Sequence, residues 1–320
     1  MQKNYAVTSS PHLRSAASTM SIMRDVIIAL VPAGVMSVVL YGYKAAILIA
    51  ISVATAVLCE YGYNKLTRQK STIGDLSAVV TGLLLAYNLP ANAPWWIAVI
   101  GSFLAIILVK AIFGGIGANF MNPALTARAI LFVSWSSIMT SYPVGGAGSV
   151  DTVSSATALS VLGTTPSAYN GSLKLTELLT GSNIGGMLGE TCKIALIIGG
   201  IYLIVRGVIS WHIPVCFLGT VFVCYLIYSG FNMAYTLGEL LSGGLILGAF
   251  FMATDYVTSP VTVKGKIIYG IGCGAFLFVI RAFCSYVEGC SFAILFMNVL
   301  NPLIDRLTAP KAFGEVKKNG

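Results

Sequence analysis

The chain has 320 residues, 57% of them hydrophobic and only 9% charged, with a mean hydropathy of +0.86. Soluble domains carry about 25% charged residues, so the composition excludes an ordinary soluble enzyme and indicates an integral membrane protein. A net charge of +8 would also fit a nucleic-acid binder, but the placement of the basic residues, set out below, argues for membrane topology instead, and no nucleic-acid partner is expected.

Residues 1–24 are polar, carry no cleavable signal pattern, and form an N-terminal segment. A membrane span needs about 20 mostly apolar residues. Ten candidates follow, at about 25–43, 44–62, 73–89, 94–112, 121–138, 187–206, 213–231, 236–254, 266–284 and 287–306. The third, fifth and eighth are broken by Gly, Pro, Asn or acids. The expected fold is all-α, with about ten transmembrane helices, several of them interrupted. A polar loop at 139–186 separates a first group of five (25–138) from a second (187–306), and 307–320 form a C-terminal tail.

With a cytoplasmic N-terminus, fifteen basic residues fall on the inner side: Lys3, Arg14, Arg24, Lys65, Arg68, Lys70, Lys110, Arg128, Arg206, Lys264, Lys266, Arg306, Lys311, Lys317 and Lys318. Only Lys44, Lys174, Lys193 and Arg281 fall outside. That asymmetry predicts both termini inside and the 139–186 loop outside. The seven cysteines form no CxxC pair and read as free buried thiols, with a pairing of Cys284 and Cys290 as the alternative.

The halves repeat short motifs. Thr72-Ile-Gly-Asp-Leu76 recurs as Thr236-Leu-Gly-Glu-Leu240, and Phe120-Met-Asn122, followed by Pro123, recurs as Phe296-Met-Asn298 ahead of Pro302. The paired motifs start 48 residues apart in one half and 60 in the other. Five spans per half is an odd number, so the second half would be inverted relative to the first, a transporter-like arrangement. The Thr-x-x-acid spacing fits a capping box at a helix start. It equally fits Asp75 and Glu239 lining an ion route from opposite faces. In 113–129, the Gly114–Gly117 turn leads through Asn119 to Asn122-Pro123, with Pro suited to a first helical turn. Such a segment packs backbones tightly, or offers Gly115, Asn119 and Asn122 to a phosphate or a flat ligand. It is neither a P-loop nor a dinucleotide fingerprint.

The outer loop holds "SVDTVSSATALS" (149–160), six hydroxyl residues in twelve. Together with "FGGIGANFMNPALTAR", "FMATDYVTSP" and "EGCSFAILFMNVLNPLIDR", it resembles the family comprising the D subunits of Rnf complexes and the B subunits of sodium-pumping NADH:quinone reductases. The resemblance runs from the first span to the last. It implies an ion-translocating oxidoreductase component in a bacterial cytoplasmic membrane, with FMN joined by a phosphoester to the Thr of an S-[GS]-A-T motif by a flavin transferase. By position the acceptor is Thr157, with Ser154, Ser155 and Ala156 before it and Asp151 upstream; Ser155 stands where many relatives have Gly. The family also implies a second, non-covalent flavin of the riboflavin kind, for which Asn122, Asn298 and the Gly114–Gly117 turn are candidates. Partners implied are the other complex subunits, the transferase and lipid. With only 24 residues ahead of the first span, the Rnf D subunits are the nearer resemblance. A non-redox channel or secondary transporter would share the repeats and acids.

Overall fold

The computed structural model describes residues 18–143, 157–162, 174–182, 184–284 and 288–310. Among the described residues the regular structure is helical, with no strand beyond isolated bridges. Helix α1 (Thr19–Tyr41) begins before residue 25 because Ser18 supplies a capping box: its hydroxyl accepts from the Ser21 amide at 3.2 Å, and the Ser21 hydroxyl accepts from the Ser18 amide at 3.0 Å. Gly42, at φ +73°, allows the chain to reverse at once into α2 (Tyr43–Leu66).

The first half continues with α3 (Ser77–Tyr87), α4 (Trp95–Phe103, extended by a π-helical stretch, Leu104–Ala111), α5 (Pro123–Ser134) and the short α6 (Ser136–Met139). Short helices α7 (Ala158–Leu162) and α8 (Leu175–Thr180) belong to the polar loop region. The second half holds α9 (Lys193–Val205), α10 (His212–Tyr228), α11 (Met233–Leu241), α12 (Leu245–Leu247, extended by π-helical Gly248–Met252), α13 (Val263–Phe283) and α14 (Cys290–Thr308).

Four helices, α1, α2, α13 and α14, are long and apolar enough to cross a membrane, and α11 with α12 makes a fifth that is bent by 63°. The remaining apolar helices, α3, α4, α5, α9 and α10, have 10–17 residues. Helices α3 and α5 are short because Asn88, Pro90 and Pro94 interrupt the chain after one, and Trp135 leaves helical geometry after the other. Large apolar side chains such as Val31, Val35, Leu58, Val215 and Ile227 stay exposed along the helices, as a lipid-facing surface requires.

Small residues sit where helices cross. A Cβ on Gly82 would lie 2.9 Å from the Cα of Val53, and one on Gly274 would lie 3.0 Å from the Phe217 carbonyl. With no hydrophobic drive between helices in lipid, close backbone approach of this kind supplies much of the attraction. The segment before α9 is inserted into the break between α3 and α4. Leu188 and Gly189 donate from their backbones to Leu89 (3.0 Å) and Tyr87 (3.0 Å), and Ser37 donates to the Leu188 carbonyl. The junction between the expected outer loop and the second half is therefore packed into the first half.

Candidate functional site

Thr157 is 6% exposed and begins α7. Its hydroxyl accepts from the Ser160 amide at 3.2 Å, and the Ser160 hydroxyl returns a bond to the Thr157 carbonyl at 2.8 Å. Helix α7 lies against α11 and the break that follows it because both offer glycine there. A Cβ on Gly238 would lie 2.8 Å from Leu162, and one on Gly243 would lie 2.8 Å from Leu159. Although they belong to the polar loop, Thr157 and Ala158 are both buried by this packing. Asp151, Ser154, Ser155 and Ala156 lie outside the described residues.

Thr157 borders a cleft of about 350 Å³ whose walls include Gly185, Gly186, Glu190, Lys193, Gly243 and Glu288. Behind it runs a network of buried charge. Arg128 on α5 donates to Glu288 and to Ser291 on α14. Lys193 donates to the carbonyls of Glu190 and of Gly243, the latter at 2.6 Å. Arg281 on α13 pairs with Glu239 at 3.4 Å and donates to the backbone carbonyls of Glu239 (2.8 Å) and Ser242 (3.1 Å). A buried charge is tolerable only with such partners, and removing one strands the other.

Arg128, Lys110, Lys193 and Arg281 are thus buried structural or functional cations, not part of the surface charge that orients a membrane protein. Deleting them from the sequence-based split leaves thirteen basic residues against two. The asymmetry survives the correction.

The repeated Thr-x-x-acid motifs do not form capping boxes. The Thr72 hydroxyl bonds to Glu60 at 2.5 Å and Asn64 at 2.9 Å, while Asp75 accepts from the Ser77 amide (2.9 Å) and hydroxyl (2.6 Å). Thr236 and Glu239 lie inside α11, whose cap is Asn232. In each half a buried cation nevertheless meets the motif region. Lys110 pairs with Glu60 at 2.9 Å and reaches the Ser77 hydroxyl at 2.5 Å; Arg281 holds Glu239. Asp75 is only half-buried, and Asp75 and Glu239 are not in contact with each other.

A second, larger cleft of about 810 Å³ lies between the halves. Its walls are mostly apolar, from Val26, Leu84, Phe250 and Phe251, with polar groups from Ser77, Lys110, Asn119, Asn122 and Asp255. Asn122 caps α5, accepting from the Ala124 (3.1 Å) and Leu125 (3.3 Å) amides, and donates to the Met252 carbonyl across the interface at 3.2 Å. Asn119 donates to the Met121 carbonyl at 3.1 Å. Gly115, at φ +90°, belongs to an open turn and is not part of the cleft wall. Asn298 is buried behind Asn122.

Sequence reasoning missed Glu60, Glu190 and Glu288, although acids inside apolar runs are the signal that marks them. It treated Arg128 and Arg281 as loop charges, because pairing partners 160 and 42 residues away are invisible to a span count. Cys284 is exposed and Cys290 buried, and both are free thiols, so the alternative of a pair between them is not what forms. Among the described residues no group of His, Cys, Asp and Glu is arranged to hold a metal ion.

These features define a multi-pass α-helical membrane protein with ion pairs buried between its helices and a threonine-bordered cleft. The chain belongs to the family described as NQR2, RnfD, RnfE, whose model matches residues 6–314. It is 49% identical over 98% of its length to the D subunit of the Na(+)-translocating ferredoxin:NAD(+) oxidoreductase complex of Acetobacterium woodii, of which 96% is covered. It is 40% identical to the D subunit of the proton-translocating ferredoxin:NAD(+) oxidoreductase complex of Clostridium ljungdahlii, with 98% of each chain covered. The D subunit of the ion-translocating oxidoreductase complex of Halorhodospira halophila is 35% identical, with 97% of this chain and 96% of that one covered.

Proposed function

We propose that this chain is the D subunit of an ion-translocating ferredoxin:NAD⁺ oxidoreductase, carries FMN as a phosphoester on Thr157, and relays electrons in a process coupled to Na⁺ or H⁺ movement. The observation that carries the reading is Thr157 itself. It ends the Ser-Ser-Ala-Thr motif and borders a cleft walled by glycines, by Lys193 and by the acids Glu190 and Glu288. Glycine walls let a flat ligand approach the backbone closely, and an ammonium suits a phosphate. The Thr157 alcohol, and the one Lys193 N–H not given to a backbone carbonyl, therefore fit the phosphoester end of the group. A bound flavin would supply the electron chemistry, while the chain holds and orients it.

Within that reading the larger cleft suits a second flavin, riboflavin held without a covalent link. Its lining is mostly apolar, with polar groups at Ser77, Lys110, Asn119, Asn122 and Asp255, the mixture that a ring with polar edges needs. Asn119 and Asn122 would meet polar edges, and the apolar walls would cover the ring. Ten spans in two inverted halves remain the arrangement we favour. The support is the matched cations of the two motif regions, the bent α11–α12 pair, and the contact between the repeated asparagines described below. The corrected charge split supports cytoplasmic termini in a bacterial inner membrane. Asp75 and Glu239 are the proposed ion-route acids, and the other complex subunits, a flavin transferase and lipid the proposed partners.

The reading as a quinone-reductase B subunit shares the same family, but the relatives above are named for ferredoxin:NAD⁺ complexes. A plain channel or secondary transporter would have no covalent chromophore. Co-expression with a flavin transferase, followed by a denaturing gel viewed under ultraviolet light, distinguishes them. A fluorescent band at the size of the chain is expected, and a dark band would refute the reading.

A further inference from the structure

The acids Glu190 and Glu288 meet at the break between α11 and α12. Both are buried, at 3% and 7% exposed, line the same cleft, and lie close enough for their carboxyl groups to act on each other. Their oxygens are otherwise committed in a telling way. Glu288 gives Oε2 to Arg128, while its Oε1 has no other donor. Glu190 accepts from the Met187 amide through Oε1 at 3.1 Å. Both side chains reach toward the glycine pair at the break. A Cβ on Gly244 would lie 2.8 Å from Glu190 Oε2, and one on Gly243 would lie 3.7 Å from Glu288 Oε1.

Ionised carboxylates only accept hydrogen bonds, so two in contact need a proton or another cation between them. The cations nearby are already committed: Arg128 to the far oxygen of Glu288 and to Ser291, Arg281 to Glu239, and Lys193 to two backbone carbonyls. Glu190 therefore has no cation bonded to its carboxyl group among the described residues. A metal cation would need several oxygen ligands, but the carbonyls of Glu190 and Gly243 that could supply them are taken by the Lys193 ammonium. Among the described residues, Tyr41, Tyr142 and Cys290 are further titratable groups that act on the pair.

We infer that Glu190 is protonated and shares its proton with Glu288, making the pair a buried, exchangeable proton site at the hinge of the broken helix. The site borders the cleft of Thr157 but does not depend on what that threonine carries. An interrupted helix is a natural location for it, since broken spans are where transported ions meet unpaired backbone groups.

The test is infrared spectroscopy of the purified full chain in nanodiscs, in H₂O and D₂O, with choline as the only added cation. The wild type minus Glu190→Gln difference spectrum should show one carboxylic-acid C=O band that shifts in D₂O. Glu288→Gln should lose or displace the same band, and Glu177→Gln should leave it. Glu190→Gln should also fold, because a carboxamide N–H can donate to Glu288 where the acid O–H does. A folded Glu190→Gln protein with an unchanged carboxylic-acid region would overturn the assignment. So would a failure of Glu190→Gln to fold, or loss of the wild-type band when sodium replaces choline.

Discussion

With the Asn298 side-chain amide turned so that its oxygen faces donors, the backbone N–H of Asn122 donates to that oxygen at 3.2 Å. These are the two asparagines of the repeated Phe-Met-Asn tripeptide, one capping α5 and the other inside α14. The Asn298 amide is then free to donate to Tyr269 Oη (2.6 Å) and to the Thr258 and Ile294 carbonyls (3.3 Å each). Two copies of one motif thus hold each other across the junction of the halves. Asn298→Leu should strand the Asn122 amide and the Tyr269 hydroxyl, costing about 1–3 kcal/mol for each buried group left unsatisfied. Thermal unfolding in detergent should show a lowered midpoint. A midpoint equal to wild type would mean that the contact contributes nothing.

Arg128→Met should be more damaging, because it leaves Glu288 buried without its partner. Breaking a buried pair from one side costs about 3–5 kcal/mol. Adding Glu288→Gln to Arg128→Met should recover part of that loss. If the double variant unfolds as readily as Arg128→Met alone, the pairing is not what Arg128 supplies.

Glu239 and Asp75 separate ion transport from stability. Glu239→Gln keeps the shape of the side chain and should leave any flavin attached to Thr157. In the assembled complex it should lower ions moved per electron, and Asp75→Asn should do so in combination with it. Unchanged stoichiometry in the double variant would remove both acids from the ion route.

Topology can be read by labelling. Cys284 is exposed near the end of α13, so a Cys284→Ser background is needed. In that background a cysteine at Lys174, an exposed position, should react with an impermeant thiol reagent from outside the cell, and one at Gln69 should not. The reverse pattern would invert the orientation.

Much of this architecture was legible in the sequence, for identifiable reasons. Each candidate stretch holds a helix or a bent helix pair because apolar length is a local property, although four of them, or five with the bent pair, are long and apolar enough to cross a membrane. The helix ends were less legible: Ser18 and Ser21 start α1 early through side-chain bonds that hydropathy does not register. Asn122 was singled out by its place before Pro123, and it does cap a helix at the wall of a cleft. The charge network was not legible, because Arg128 finds Glu288, and Lys110 finds Glu60, only through the packing of helices distant in sequence. Thr157 was singled out by motif, but its burial follows the packing of Leu162 against Gly238 of α11 and of Leu159 against Gly243 just beyond it.

The most direct test of covalent flavin attachment is peptide mass spectrometry of the chain matured with a flavin transferase. The mass of FMN, less water, is expected on the peptide containing Thr157, with fragment ions assigning it to that residue. Thr157→Ala should lose it while the protein still inserts, and Thr157→Ser should retain some because the alcohol survives. The same mass on Thr152, Ser154 or Ser155, or its persistence in Thr157→Ala, would contradict the assignment.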